Sequence, residues 1–114
     1  ECEALTGIAV ANADDAEQAC RVLCSKGVKT PIVTMGEQGA YLSGHGVVPS
    51  VSIGSIVETT GAGDAFNGAF AAALAENKSP LEAVRYGCAT AGISVTRAGT
   101  APSMPTRDEV DLVL

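Results

Sequence analysis

Apolar residues recur along the chain in two rhythms. Ala16, Ala19, Cys20, Leu23 and Cys24 stand three and four apart, which marks one face of an amphipathic helix. Asn12 supplies N-cap chemistry ahead of it, and Asp14 and Asp15 put negative charge in its first turn. Lys26 and Gly27 then provide a last-turn cation and a C′ glycine. The preceding stretch Leu5–Val10 has no period that separates helix end, loop and strand. Beyond Gly27 the rhythm changes. Pro31–Met35 is a β-rich run that enters a turn at Gly36-Glu37-Gln38-Gly39, and Ala40–Ser43 reads as a second strand. Gly44-His45-Gly46 turns the chain back, and Val47–Val57 alternates loosely as one or two extended segments.

The helical rhythm returns in the second half. A helix is predicted to open within Gly61–Asp64 and to run to about Ala75, where Asn77-Lys78-Ser79-Pro80 breaks it. Ser79 as N-cap, Pro80 at N1 and Glu82 at N3 start another, through Val84, Gly87, Cys88 and Ala91 to about Val95. Its small residues Gly87, Ala89, Ala91 and Gly92 permit close approach by another element or by a flat ligand. Ala98–Pro105 reads as a loop, and Thr106–Leu114 as a final helix capped by Thr106 with Glu109 at N3. Helix, three strands and three helices in that order predict an α/β layer, its sheet partly exposed unless other strands extend it.

Composition narrows the function classes. With 46% hydrophobic and 18% charged residues, the 114-residue chain belongs with folded proteins. Its longest apolar stretch, Ala69–Ala75, falls far short of the ~20 residues that span a bilayer, so a soluble chain is expected. A net charge of −6 without any Lys/Arg cluster argues against nucleic acid and acidic membranes as partners. The four cysteines form no CxxC pair and His45 lies far from them in sequence, so no zinc site is expected. Cys20 and Cys24 share a helix face and read as small core residues, and His45 reads as a turn residue. The cysteines do not form a disulfide framework and no signal peptide precedes Glu1, which predicts a reducing, cytoplasmic setting.

The candidate chemistry lies in Thr59–Gly68. Thr59-Thr60-Gly61-Ala62-Gly63-Asp64 follows an extended apolar segment and opens an Ala-rich helix. A helix start presents unpaired N–H groups and partial positive charge, and small residues let an anion reach them. Such a turn suits phosphate oxygens that gain charge during phosphoryl transfer. Asp64, in the first turn, can orient a substrate hydroxyl and accept its proton. A Gly-x-Gly before a helix also occurs without function, and Asp64 then only caps. The segment is neither a Walker A loop nor a dinucleotide fingerprint, because no Gly-Lys-Ser/Thr and no third glycine follow at the required spacing.

The wider string from Glu58 through Gly61-Ala62-Gly63-Asp64 to Phe66, Gly68 and Phe70 resembles the second signature of the ribokinase family of carbohydrate and nucleoside kinases. Leu5-Thr6-Gly7, Thr34–Gly39 and Ser94–Ser103 resemble further segments of that family in the right order, with the ribokinase branch nearest. The resemblance implies that residues 1–114 are the C-terminal part of a three-layer α/β/α kinase fold. The N-terminal half, with its sugar-binding Gly-Gly motif and β lid, would be absent. It implies ATP-dependent phosphorylation of a small sugar, D-ribose to ribose 5-phosphate, with other sugar kinases, nucleoside kinases and a non-catalytic nucleotide-binding regulator as alternatives. A homodimer of the full-length protein, through lid strands, also follows from the resemblance alone.

By the same resemblance, Asp64 is the base, and Gly61, Ala62 and Gly63 form the anion hole. Thr34, Gly36, Glu37 and Gly39 lie along the ATP phosphates and ribose. Cys88 and Ala91 fall on the helix facing adenine, where the family often has His or Asn; Cys88 departs from that, and a core cysteine is an equal reading. Glu3 would help place Mg²⁺ through water. Glu58, Thr60, Ser94, Arg97, Gly99 and Ser103 would surround an activating K⁺, with Arg97 contributing only its carbonyl. Glu58 stands where the family usually has Asp, which changes its reach by one methylene.

Overall fold

The computed structural model describes residues 2–51, 61–96 and 110, and the chain forms two units, 1–49 and 50–114. In the first unit, α1 (Cys2–Thr6) takes up the start of the undecided stretch Leu5–Val10. Thr6 ends it: its hydroxyl donates to the Cys2 carbonyl at 2.8 Å and accepts from the Ile8 N–H at 3.1 Å. The next helix, α2 (Ala13–Ser25), is capped reciprocally. The Asn12 side chain accepts from the Asp15 N–H at 2.9 Å, and the Asp15 carboxylate accepts from the Ala11 N–H at 3.1 Å. Lys26 closes α2 and Gly27 takes a φ of 100°, as the sequence predicts.

Ala16, Ala19 and Cys20 of α2 are buried, whereas Cys24, expected in the same core, is exposed. Four residues advance 400° around a 3.6-residue helix, so Cys24 drifts toward the edge of the stripe. In the last turn even Val22 and Leu23 are only half-buried.

Three short strands, β1 (Ile32–Thr34), β2 (Ala40–Leu42) and β3 (Gly46–Val48), form an antiparallel sheet in that order, and α2 contacts all three. Between β1 and β2 a 3₁₀ turn occupies Gly36–Gln38, closed by the Met35 N–H donating to the Gly39 carbonyl at 2.8 Å. The register places Val33 opposite Tyr41 and Tyr41 opposite Val47, with Ala40 between Thr34 and Val48. Paired residues share a face, so Val33 is buried on one face and Ala40, Leu42 and Val48 on the other. On the Val33 face, Tyr41 is half-buried and Val47 exposed.

In the second unit, α3 (Ala62–Ala75) and α4 (Pro80–Ser94) pack as a helical hairpin. Asn77, at a φ of 65°, ends α3, and the Lys78 N–H reaches back to the Ala73 carbonyl at 3.1 Å. Ser79 caps α4 by accepting from the Glu82 N–H at 3.2 Å, with Pro80 at N1, as expected. Ala73, Ala83, Tyr86, Ala89, Ile93 and Val110 form the core, flanked by Val51, Ala69 and Phe70. Val110 is helical, in keeping with the last predicted helix, whose other residues lie outside the described ones, as does the loop Ala98–Pro105. Among the described residues no helix is long and apolar enough to cross a membrane.

Two glycines of α4 are contact points rather than ligand gaps. A Cβ on Gly87 would meet the Phe66 ring at 2.7 Å, and one on Gly92 would meet the carbonyl oxygen of Val51. A backbone carbonyl cannot yield as a flexible side chain does. Gly92→Ala is therefore expected to destabilise the fold by about 1–3 kcal/mol. Gly68, exposed in α3 with no described atom near its Cβ position, gives the opposite sign: Gly68→Ala should gain about 0.5–1 kcal/mol. Chemical denaturation of the two variants checks the pair, and equal effects would contradict it.

Candidate functional site

The α3 start differs from the other two long helices. Side chains of Asn12 and Ser79 cap α2 and α4, but α3 begins at Gly61 with no side-chain cap. Gly61 holds a φ of 87° and a ψ of −3°, the left-handed region that a residue with a Cβ enters only at a cost. Its carbonyl accepts the first helical bond, from the Ala65 N–H at 2.9 Å. The N–H groups of Ala62, Gly63 and Asp64 precede that bond, so the helix itself offers them no acceptor. Gly63 and Asp64 are exposed, and Asp64 stands at N3. The expected anion-hole residues and the expected base thus converge on one helix start. An acceptor at this place would meet backbone donors and the positive end of the helix dipole, with a carboxylate beside it.

The expected nucleotide contacts in the first unit share one strand-to-turn segment. Thr34 is exposed at the end of β1, Gly36 and Glu37 lie in the 3₁₀ turn, and Gly39 is buried where β2 begins. Gly36 and Gly39 both have positive φ, 58° and 104°. Glu3 is exposed in the first turn of α1.

On α4, Cys88 and Ala91 are three apart and share a face. Cys88 is buried, and burial pushes its thiol up to about 11, so it is a neutral group at ordinary pH. Ala91 is half-buried one turn on. Ser94 is buried, and its hydroxyl donates to the Ala91 carbonyl at 2.9 Å. Its own carbonyl lies in the last turn of α4. Glu58, Thr60, Arg97, Gly99 and Ser103, the other expected cation neighbours, lie outside the described residues. Among the described residues no group of three or more His, Cys, Asp or Glu is placed to hold a metal ion.

A cavity of about 490 Å³ lies between α2 and the Gly44–Gly46 turn, with Cys20, Cys24, Tyr41 and His45 in its wall. None of the expected site residues lines it. His45 is an exposed turn residue, as read from sequence, with its N–H on the Leu42 carbonyl at 3.0 Å. Sequence reasoning gave no role to Phe66, although it stands two residues after Asp64 and fills the space above Gly87.

Comparison with known proteins bears on this arrangement. The model of the pfkB family of carbohydrate kinases matches residues 1–107. Ribokinase of Haemophilus influenzae is 44% identical over 112 residues, which cover 96% of this chain and 36% of that protein. Ribokinase of Arabidopsis thaliana is 37% identical over 114 residues, 96% of this chain and 30% of that protein. The structure of Arabidopsis thaliana ribokinase complexed with ribose and ATP is similar at a TM-score of 0.90 and 34% identity, over 98% of this chain and 37% of that one. Thermotoga maritima ribokinase gives a TM-score of 0.79 at 40% identity, over 97% of this chain and 37% of that one. The architecture is that of the ribokinase-like three-layer α/β/α fold, and the chain spans about a third of the length of these relatives.

The Cys88 thiol gives a pH dependence with a definite sign. Its folded value of about 11 lies above the unfolded value of 9.0, so the folded chain holds this proton more tightly. The resulting contribution is fully present below pH 9.0 and is lost as pH rises toward about 11, roughly 2–3 kcal/mol in all. Denaturant titrations between about pH 8 and about pH 11 should show a shallower fall in Cys88→Ala than in the parent chain. Parallel curves would mean that the thiol is not protected as the fold implies.

Proposed function

The chain belongs to the pfkB family of carbohydrate kinases, and we propose that it is the C-terminal, ATP-side portion of a ribokinase. The observation that carries this reading is the uncapped start of α3, with Gly61 in the left-handed region and Asp64 exposed at N3. Glycine at the cap forfeits roughly a few tenths of a kcal/mol relative to Asn, Asp or Ser, so the helix tolerates a start left open for a ligand. The similarity to ribokinases, one of them complexed with ribose and ATP, supports ATP as donor and D-ribose as acceptor.

In this reading the N–H groups at Gly61–Gly63 hold the phosphoryl group in transfer. Asp64 takes the proton from the sugar hydroxyl as its oxygen bonds to the γ-phosphorus and the bond to the β-phosphate breaks, releasing ADP. Thr34, Gly36, Glu37 and Gly39 line the nucleotide phosphates and ribose, and Ala91, with Cys88 beneath it, lines the adenine. Glu3 would help hold Mg²⁺ through water, and Ser94 with Glu58, Thr60, Arg97, Gly99 and Ser103 would hold K⁺. These ions offset phosphate charge when bound. The span of the relatives supports a longer protein whose remaining part supplies the sugar pocket.

Asp64→Asn in the full-length enzyme should lower kcat by about 10²- to 10⁴-fold while ATP still stabilises the protein against heat. Near-normal turnover of that variant would overturn the assignment of the base. Phosphate transfer assayed against D-ribose, 2-deoxyribose, fructose and adenosine identifies the acceptor, with D-ribose expected to give the highest kcat/KM. The 114-residue chain alone should show no sugar-dependent ATP turnover, because positioning the hydroxyl supplies much of the rate.

A further inference from the structure

The first turn of α3 carries the proposed chemistry, and its own described residues put no large side chain on the exposed side. Gly61 has no side chain, Ala62 and Gly63 are small, and Asp64 is exposed. The first large buried side chain along α3 is Phe66, 6% exposed, two residues beyond Asp64. Two residues turn a helix by about 200°, so Phe66 and Asp64 leave α3 on opposite sides. The Phe66 ring lies where a side chain at position 87 would begin: three of its carbons stand 2.7–3.1 Å from the Cβ position of Gly87. It also stacks with Phe70, with ring centroids 6.0 Å apart and planes 7° from parallel. The ring therefore meets both α4 at Gly87 and the next turn of its own helix.

We infer that Phe66 is a positioning residue for Asp64. Its ring, seated on the bare backbone of Gly87, sets the angle at which α3 presents its first-turn N–H groups and the Asp64 carboxylate. The contact acts as a fulcrum. A methyl at position 87 would push the ring outward and carry the opposite face of α3 with it. A thinner side chain at 66 would let the helix start settle toward α4. Either shift moves the carboxylate without touching it. The inference rests on Asp64 being the base of the proposed reaction.

The test uses the full-length kinase that carries this chain, with Gly87→Ala, Phe66→Leu, the double variant, and Asp64→Asn as reference. Steady-state kinetics and thermal unfolding are measured on each. Gly87→Ala is expected to lower kcat by up to about 100-fold, because a misplacement near 1 Å has that effect, while KM for sugar and for ATP stays within roughly twofold. Phe66→Leu/Gly87→Ala should recover part of that loss, since leucine has no counterpart of the Cε2 carbon and its branched Cδ carbons can rotate away from the methyl. A double variant no better than Gly87→Ala, or a kcat per folded molecule unchanged in Gly87→Ala, overturns the inference. If Gly87→Ala does not fold, Phe66→Leu decides alone: a fall in kcat at constant KM supports the inference, and a parental kcat overturns it. An active Asp64→Asn would instead overturn the reading of the site itself, so the two failures are distinct.

Discussion

The pairing of α3 with α4 depends on one close approach, the Phe66 ring lying against Gly87. Helix axes come together only as far as the side chains between them allow. A residue without a Cβ at position 87 admits a flat ring directly onto the α4 backbone. Ala69, Phe70 and Ala73 continue the same stripe of α3 into the core of Ala83, Tyr86, Ala89 and Ile93. Ten of the fifteen residues of α4 are buried, so α4 serves as the fixed element against which α3 is oriented. The direction of the α3 start is thus decided by packing rather than by capping.

That division of labour explains the chemistry available at the site. α2 and α4 use side-chain oxygens to satisfy their first-turn N–H groups, which makes those helices self-contained. α3 lacks a side-chain cap at Gly61, at a loss of roughly a few tenths of a kcal/mol for glycine in that position.

Legibility in the sequence followed the range of each interaction. Asn12 and Ser79 were readable as caps because a cap is formed within three residues, and both form the expected bonds. The start of α3 was readable for the same reason, since Gly61 alone can hold its backbone angles at low cost. Strand ends were less so. Met35 and Ser43 read as strand, but Met35 gives its N–H to the turn at Gly39, and Ser43 precedes the Gly44–Gly46 reversal. Cys24 was assigned to the core from its spacing, although a spacing of four cannot show where coverage by the sheet stops. Phe66 and Gly87, twenty-one positions apart, carry no local signal of their contact. A ring beside a motif aspartate becomes informative only once the facing glycine is known.

Burial also bears on how the proposed nucleotide site would recognise its base. A Cys88 thiol pushed up to about 11 is uncharged and apolar in character, and it is 5% exposed. A thiol is only a weak hydrogen-bond donor and acceptor. Ala91, half-buried on the same face, is the surface a purine would reach. A methyl over a neutral thiol offers contact area without direction, so the base would be selected by the shape of the slot and not by paired donors and acceptors. Phosphates bind through charge and backbone N–H groups whatever the base. Discrimination among nucleoside triphosphates by this chain should therefore be weak, with phosphoryl transfer itself unaffected.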